Sequence, residues 1–379
     1  MVKFLVRGRH LVKSRSGSLW LQPAIYTSAL LGLSVLAGSA SAADQSGKDE
    51  AKYTVSRNMW GQPNFEGNWT NSSLTRLERD PAFGSRVEMT PGEVKRLEGE
   101  RQALVAEQGA RTDPDANIDE VNGSCEVKGY TGGPACGYNG AWTDPGDTVM
   151  RVAGKARTSF ITSTPDGRVP DTKAGVKVTQ IGRSGAVRPL PPGVAQNDNP
   201  EGRSLGERCI MSFGFSSGPV MQPQLYNSNY QFVQTKDELA IHVEMVHDVR
   251  HIRIGGKHRN DGVRPWMGDS VGWWEGNTLV AETINFHPEQ RFFGAGESLK
   301  VTERFTRVAP DRIHYAFKVE DPKVWAEPWG GEYEFGPAKG QIYEYACHEG
   351  NYGLENILAG ARGEEREANS ASSPSLSAR

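Results

Sequence analysis

Trp273-Trp274-Glu275-Gly276-Asn277-Thr278-Leu279-Val280-Ala281-Glu282-Thr283-Ile284 is the stretch that decides the fold class. A Gly-Asn pair between two apolar runs is hairpin chemistry, because both residues tolerate positive φ. Upstream, Leu239, Ile241, Val243 and Met245 alternate with His242 and Glu244, the period-2 pattern of a strand with one buried side. Downstream, Leu299 to Val308 pairs with Arg312 to Glu320 across Ala309-Pro310-Asp311, and a last run covers Gln341 to Cys347. The pattern predicts an all-β fold, an antiparallel meander closed into a barrel or curved sandwich with long Gly/Pro-rich loops. One peripheral helix is expected at Pro91 to Gln108, where Thr90 is placed as N-cap, Pro91 opens the first turn and Glu93 completes a capping box.

Two carboxylates interrupt the apolar strand faces. Glu282 shares a face with Thr278, Val280, Ile284 and Phe286, and Glu303 shares one with Leu299, Val301 and Phe305. If those faces line a core, each carboxylate needs a charged or hydrogen-bonded partner, since an isolated buried charge is very costly. Arg250, His251, Arg253, Arg304 and His348 are the candidates.

With 379 residues the chain can bury a substantial core, and its net charge of −3 gives no electrostatic reason to expect nucleic acid as a partner. Lys3, Arg7, Arg9, Lys13 and Arg15 precede an apolar run from Tyr26 to Gly38 that ends in Ala40-Ser41-Ala42, the layout of a signal peptide over residues 1–42. That predicts an exported chain, periplasmic or secreted, with no stable membrane insertion after cleavage. Residues 43–59 read as a flexible segment, 60–362 as one barrel-like domain and 363–379 as a disordered tail. Within the domain, Arg208 to Gln224 is rich in Gly, Ser and Pro and suits the mouth of a pocket. Four cysteines in an oxidising compartment predict two disulfides, for which we take Cys125 with Cys136 and Cys209 with Cys347; four cysteines permit three pairings.

Four segments carry a resemblance: Gly268-Asp269-Ser270-Val271-Gly272-Trp273-Trp274-Glu275-Gly276-Asn277, Glu303-Arg304-Phe305-Thr306-Arg307-Val308, Asp321-Pro322-Lys323-Val324-Trp325 and Ala346-Cys347-His348-Glu349-Gly350-Asn351-Tyr352. Together they resemble a widespread family of exported bacterial proteins of unassigned function, over roughly Gly61 to Arg362. The resemblance implies export and a shared fold, and supplies no reaction. The meander is also similar to lipocalin-type barrels, which by itself assigns no chemistry.

The residues suggest three kinds of site. His242, Glu244, His247 and His251 fall within ten residues, but strand alternation sends His247 away from the first two, so no metal is assigned. Ser270 lacks a nucleophile elbow, and the Gly-rich stretches do not join a strand to a helix as phosphate loops do, so no organic cofactor is expected. The third is acid/base chemistry by His348, Glu303, Glu282 and His251, with Arg253, Arg304, Trp266, Trp274, Tyr343 and Asn351 binding substrate. It predicts a cofactor-independent lyase or isomerase acting on a small hydrophobic, possibly aromatic, molecule. The alternative is a lipocalin-like small-molecule binding or carrier protein without catalysis.

Overall fold

The computed structural model describes residues 53–108, 144–176, 195–212, 218–223 and 227–372. The expected signal peptide and the Cys125–Cys136 bridge lie outside the described residues.

Nine strands close into a barrel. In chain order the strands are β1 (Gly67–Thr70), the small hairpin β2 (Arg151–Val152) and β3 (Lys155–Ala156), β4 (Asn229–Gln234), β5 (Glu238–Val243), β6 (Val249–Ile254), β7 (Asp269–Glu275), β8 (Thr278–Ile284), β9 (Lys300–Ala309), β10 (Arg312–Glu320) and β11 (Trp329–Pro337). Around the barrel the order is β1-β11-β10-β9-β8-β7-β6-β5-β4, and β4 pairs back onto β1. Closure leaves no unpaired edge among these nine strands. The β7–β8 hairpin turns at Gly276-Asn277, with Gly276 at φ 61°, and β9 returns to β10 across Pro310-Asp311.

Three features depart from the expected meander. β6 and β7 pair parallel, so the connection 255–268 must run back along the outside of the barrel before β7 begins. Residues 341–346 form no strand, so β11 is the last one. A second helix, α2 (Tyr352–Ser372), follows α1 (Pro91–Gln108), and it continues through positions 363–372 of the segment expected to be disordered. At α1 the capping box forms: Glu93 N donates to Thr90 Oγ1 at 3.3 Å and Thr90 N to Glu93 Oε2 at 2.8 Å. At α2 the cap is Asn351, whose Oδ1 accepts from Leu354 N at 3.3 Å.

The core is the barrel interior, and it is built largely from aromatic rings. Alternation turns Tyr230 and Phe232, Leu239 and Ile241, Val301 and Phe305, Ile313 and Tyr315, and Tyr333 and Phe335 inward, all at most 1% exposed. The register puts the β7–β8 and β9–β10 turns at one end of the barrel, where Phe65 is inserted from the N-terminal arm and stacks on Trp274 at 5.8 Å. At the opposite end, called the mouth, lie Asn71, the β5–β6 turn, and the loops 285–299 and 321–328. The segment 157–163 crosses this end against β11; Gly331 permits it, because a Cβ there would lie 2.0 Å from Phe160 O. The segment Gly218–Pro223 enters the same mouth and buries Val220 and Met221 in the core cluster.

Candidate functional site

The barrel centre holds a charged pair. Arg250 of β6 and Glu303 of β9 point inward among apolar neighbours, with side chains 2% and 0% exposed. Arg250 Nη1 donates to Glu303 Oε1 at 2.8 Å and Nη2 to Glu303 Oε2, a two-pronged contact. The remaining Arg250 donors reach Ser270 Oγ at 3.2 Å and Thr283 Oγ1 at 3.0 Å, and those hydroxyls lie 2.8 Å apart. Tyr315 OH donates to Glu303 Oε1 at 2.7 Å. Burial, reinforced by the Glu303 charge, pushes the Tyr315 phenol well above its ordinary pKa, so it remains a neutral donor.

Above the pair, polar groups converge on the backbone of Met221. Its N–H donates to Tyr315 OH at 3.4 Å, while its carbonyl accepts from Tyr333 OH at 2.6 Å and from Asn71 Nδ2 at 3.5 Å. Asn71 Nδ2 also reaches Tyr333 OH at 3.1 Å and Tyr230 OH at 3.4 Å. Asn71 is fully buried, and its Oδ1 has no partner among the described residues. Burial likewise raises the Tyr230 and Tyr333 phenols, so all three tyrosines are neutral at physiological pH.

The mouth is also where backbone strain concentrates. Among the described residues, five of the seven non-glycine residues with positive φ, namely Asn227, Val246, His247, Asn285 and Phe293, lie in its turns and loops. Such conformations cost roughly 1–3 kcal/mol each for residues other than Gly or Asn and gather at functional sites, which singles out this end of the barrel over the other. On its outer rim Glu244 accepts from Asn229 Nδ2 at 3.3 Å; burial raises its carboxyl against that bond, and Asp144 adds to the rise. Burial lowers His242, assisted by His247, whose ring centroid is 6.3 Å away.

The side chains singled out from sequence do not meet. Glu303 is in the core with Arg250, as the apolar face of β9 requires. Glu282 faces outward, because Leu279, Ala281 and Thr283 are the inner residues of β8. There its Oε2 is 2.5 Å from Lys300 Nζ and its Oε1 is 3.3 Å from His258 Nε2. His251 is on the outer wall beside Glu238 and is 63% exposed. His348 is exposed and follows no strand; it lies in the turn before α2, where its carbonyl accepts from Asn351 N at 3.2 Å.

The expected substrate-binding residues also disperse. Arg253 bonds Asp269 at 2.8 Å, Arg304 bonds Glu275 at 2.7 Å on the outer wall, and Tyr343 is 78% exposed. Trp266 packs tilted against His287 with ring centroids 3.7 Å apart, Trp274 fills the end opposite the mouth, and Asn351 caps α2 while donating to Glu207 O at 2.7 Å. Only Glu282 and Arg253 join one cluster, through His258 and Asp269 of the β6–β7 crossover. Asp269 Oδ2 takes His258 Nδ1 at 3.0 Å and Arg259 N at 2.8 Å, which fastens the crossover to the wall.

Sequence reasoning missed Asn71, Tyr315 and Tyr333. The available signal was a tyrosine at a period-2 core position in β10 and β11, since a buried phenol requires a hydrogen-bond partner. Cys209 and Cys347 form a disulfide, and no helix among the described residues is long and apolar enough to cross a membrane. No protein-family model matches the chain, and no curated protein matches it in sequence.

Proposed function

We propose that this protein is an exported small-molecule binding barrel, whose ligand is a small hydrophobic, aromatic-compatible compound held in the mouth half of the interior. The observation that carries this reading is the set of hydroxyl and amide groups of Tyr230, Tyr315, Tyr333 and Asn71, gathered inside an aromatic wall around an inserted loop. Ligand sites have this composition, apolar walls with a few oriented polar groups. A barrel of about this strand number encloses either its own side chains or one small ligand. Here the Gly218–Pro223 segment occupies the space that a ligand would take. The disulfide and the charged, Ala-x-Ala-terminated leader favour export to the periplasm or beyond.

Acid/base catalysis as a lyase or isomerase is the second reading. Within the interior it would rest on Tyr315 beside the Arg250–Glu303 pair, and not on Glu282, His251 or His348, which face other surroundings. Thermal unfolding of the mature protein against a panel of small aromatic compounds tests binding. A ligand at 100 times its Kd should stabilise the fold by about 2.7 kcal/mol, and a panel that shifts nothing counts against the proposal. Turnover of a bound compound, abolished by Tyr315→Phe, would favour the enzyme.

A further inference from the structure

We infer that the interior site takes a small aromatic or apolar compound bearing a hydroxyl group, a phenol being the simplest case; this rests on the binding reading above and names its ligand class. The hydrogen-bond partners around the inserted Gly218–Pro223 segment fix which side chains donate and which only accept. Tyr315 OH gives its proton to Glu303 Oε1 at 2.7 Å, so toward the segment it presents a lone pair alone, which the Met221 N–H fills at 3.4 Å. Tyr333 is set the other way. Asn71 Nδ2 donates to its oxygen at 3.1 Å, so its own proton goes onward, to the Met221 carbonyl at 2.6 Å. That N–H and that carbonyl belong to two successive peptide units, so the segment answers one acceptor and one donor with separate groups. Tyr315 and Tyr333 are register partners on β10 and β11 with ring centroids 4.7 Å apart, which keeps the two demands side by side. Withdrawal of the segment opens both together.

A hydroxyl is the smallest group that meets both, its oxygen accepting from Tyr333 and its hydrogen going to Tyr315. An ether or ketone offers an oxygen alone and strands the Tyr315 lone pair, and a buried acceptor left unmet costs more than a typical hydrogen bond contributes. A carboxylate has no proton to give and would bring a negative charge toward Glu303. An ammonium would enter with a charge that Glu303, already paired with Arg250, does not balance. The fully buried Asn71 adds a further acceptor, Oδ1, which has no partner among the described residues, so the site leans again toward a ligand that donates. The Val220 and Met221 side chains, 1% and 0% exposed, mark the volume for the attached ring.

Isothermal titration with para-ethylphenol, para-ethylanisole and para-ethyltoluene separates the possibilities, since these share a ring and differ in whether the para group donates and accepts, accepts only, or does neither. The phenol should bind at least ~10-fold more tightly than the other two, as one to two buried hydrogen bonds require. The inserted segment is an internal competitor that lowers every apparent affinity by the fraction of time it vacates the site, so it cancels from these ratios. Gly218 has φ +86°, and a Cβ there would lie 2.8 Å from Met221 Cγ, so Gly218→Ala should disfavour the inserted state and tighten binding of all three by a common factor. Met221→Ala serves the same purpose if Gly218→Ala does not fold. Tyr315→Phe, which removes the acceptor for the ligand hydrogen, should bring the phenol level with the anisole; if that variant does not fold, the wild-type ranking decides by itself. A phenol that binds no more tightly than the anisole or the toluene, or a phenol preference that survives Tyr315→Phe, overturns the hydroxyl assignment while leaving the binding reading standing. Failure of all three compounds to bind wild type and both loosened variants overturns the two together.

Discussion

Glu303 was legible as a buried carboxylate because its strand face is otherwise Leu299, Val301 and Phe305, and Arg250 was among the partners its burial demanded. Glu282 was placed on the wrong side for an equally physical reason. Both faces of β8 are largely apolar, and Val280 is 1% exposed although it alternates with the inner residues, so periodicity could not choose a side. The three tyrosine hydroxyls were not legible as a set, since only the barrel's closure brings β4, β10 and β11 around one point. For the central pair the expected behaviour is asymmetric. Glu303→Gln leaves the Arg250 charge buried and uncompensated, and breaking such a pair costs about 3–5 kcal/mol. Replacing both residues by Met and Leu should be roughly neutral or stabilising, because desolvation of the charges is relieved as well. Urea unfolding of the two variants checks this; equal losses in both would mean that the pair, and not its orphaned charge, carries the stability.

Among the elements, hairpins were readable and the crossover was not. Gly276-Asn277 and Pro310-Asp311 announce their turns locally, whereas the parallel pairing of β6 with β7 is visible in sequence only as a connection too long for a hairpin. His258 was lost with it, since nothing periodic marks a loop residue that reaches a strand eleven positions later. Its anchor, Asp269, makes the crossover pH-sensitive. Burial opposes the Asp269 charge, but the Arg259 N–H, His258 and Arg253 outweigh it and hold the carboxyl below its ordinary pKa. A folded-state pKa below the unfolded one gives stability that is present above the ordinary carboxylate value, about 4, and is lost as pH falls through the lowered one. Asp269→Asn should therefore cost ~1–3 kcal/mol at neutral pH, and the difference from wild type should shrink steadily in acid. Unfolding free energies measured from pH 7 down to about 3 decide it; a pH-independent difference would show that the folded carboxyl is not held below its unfolded value and that the loss acts through packing.

At the scale of the whole molecule, the barrel is closed at one end by Phe65 and at the mouth by the Gly218–Pro223 segment. The Cys209–Cys347 bridge ties the chain beyond β11 to the 195–212 region across 138 residues. The expected last strand at Gln341–Cys347 failed because those residues have strand-like composition but no partner: β11 is already paired with β1 and β10. Constraining so long a loop in the unfolded chain is worth up to about 5 kcal/mol in the entropic account. Replacing both cysteines by serine should lower stability toward that amount while α2, held also by Asn351 to Glu207 and Arg362 to Asp198, remains helical by circular dichroism. Loss of the helical signal in the folded variant would mean that the bridge, and not those contacts, holds α2. For the central claim, that the interior accepts a small molecule in place of the inserted loop, the most direct measurement is a crystal structure grown with the small aromatic compound that most stabilises the fold. The predicted result is ligand density among Tyr230, Tyr315 and Tyr333 with Val220 and Met221 withdrawn; a ligand found only on the outer wall, with both residues still in the core, would contradict it.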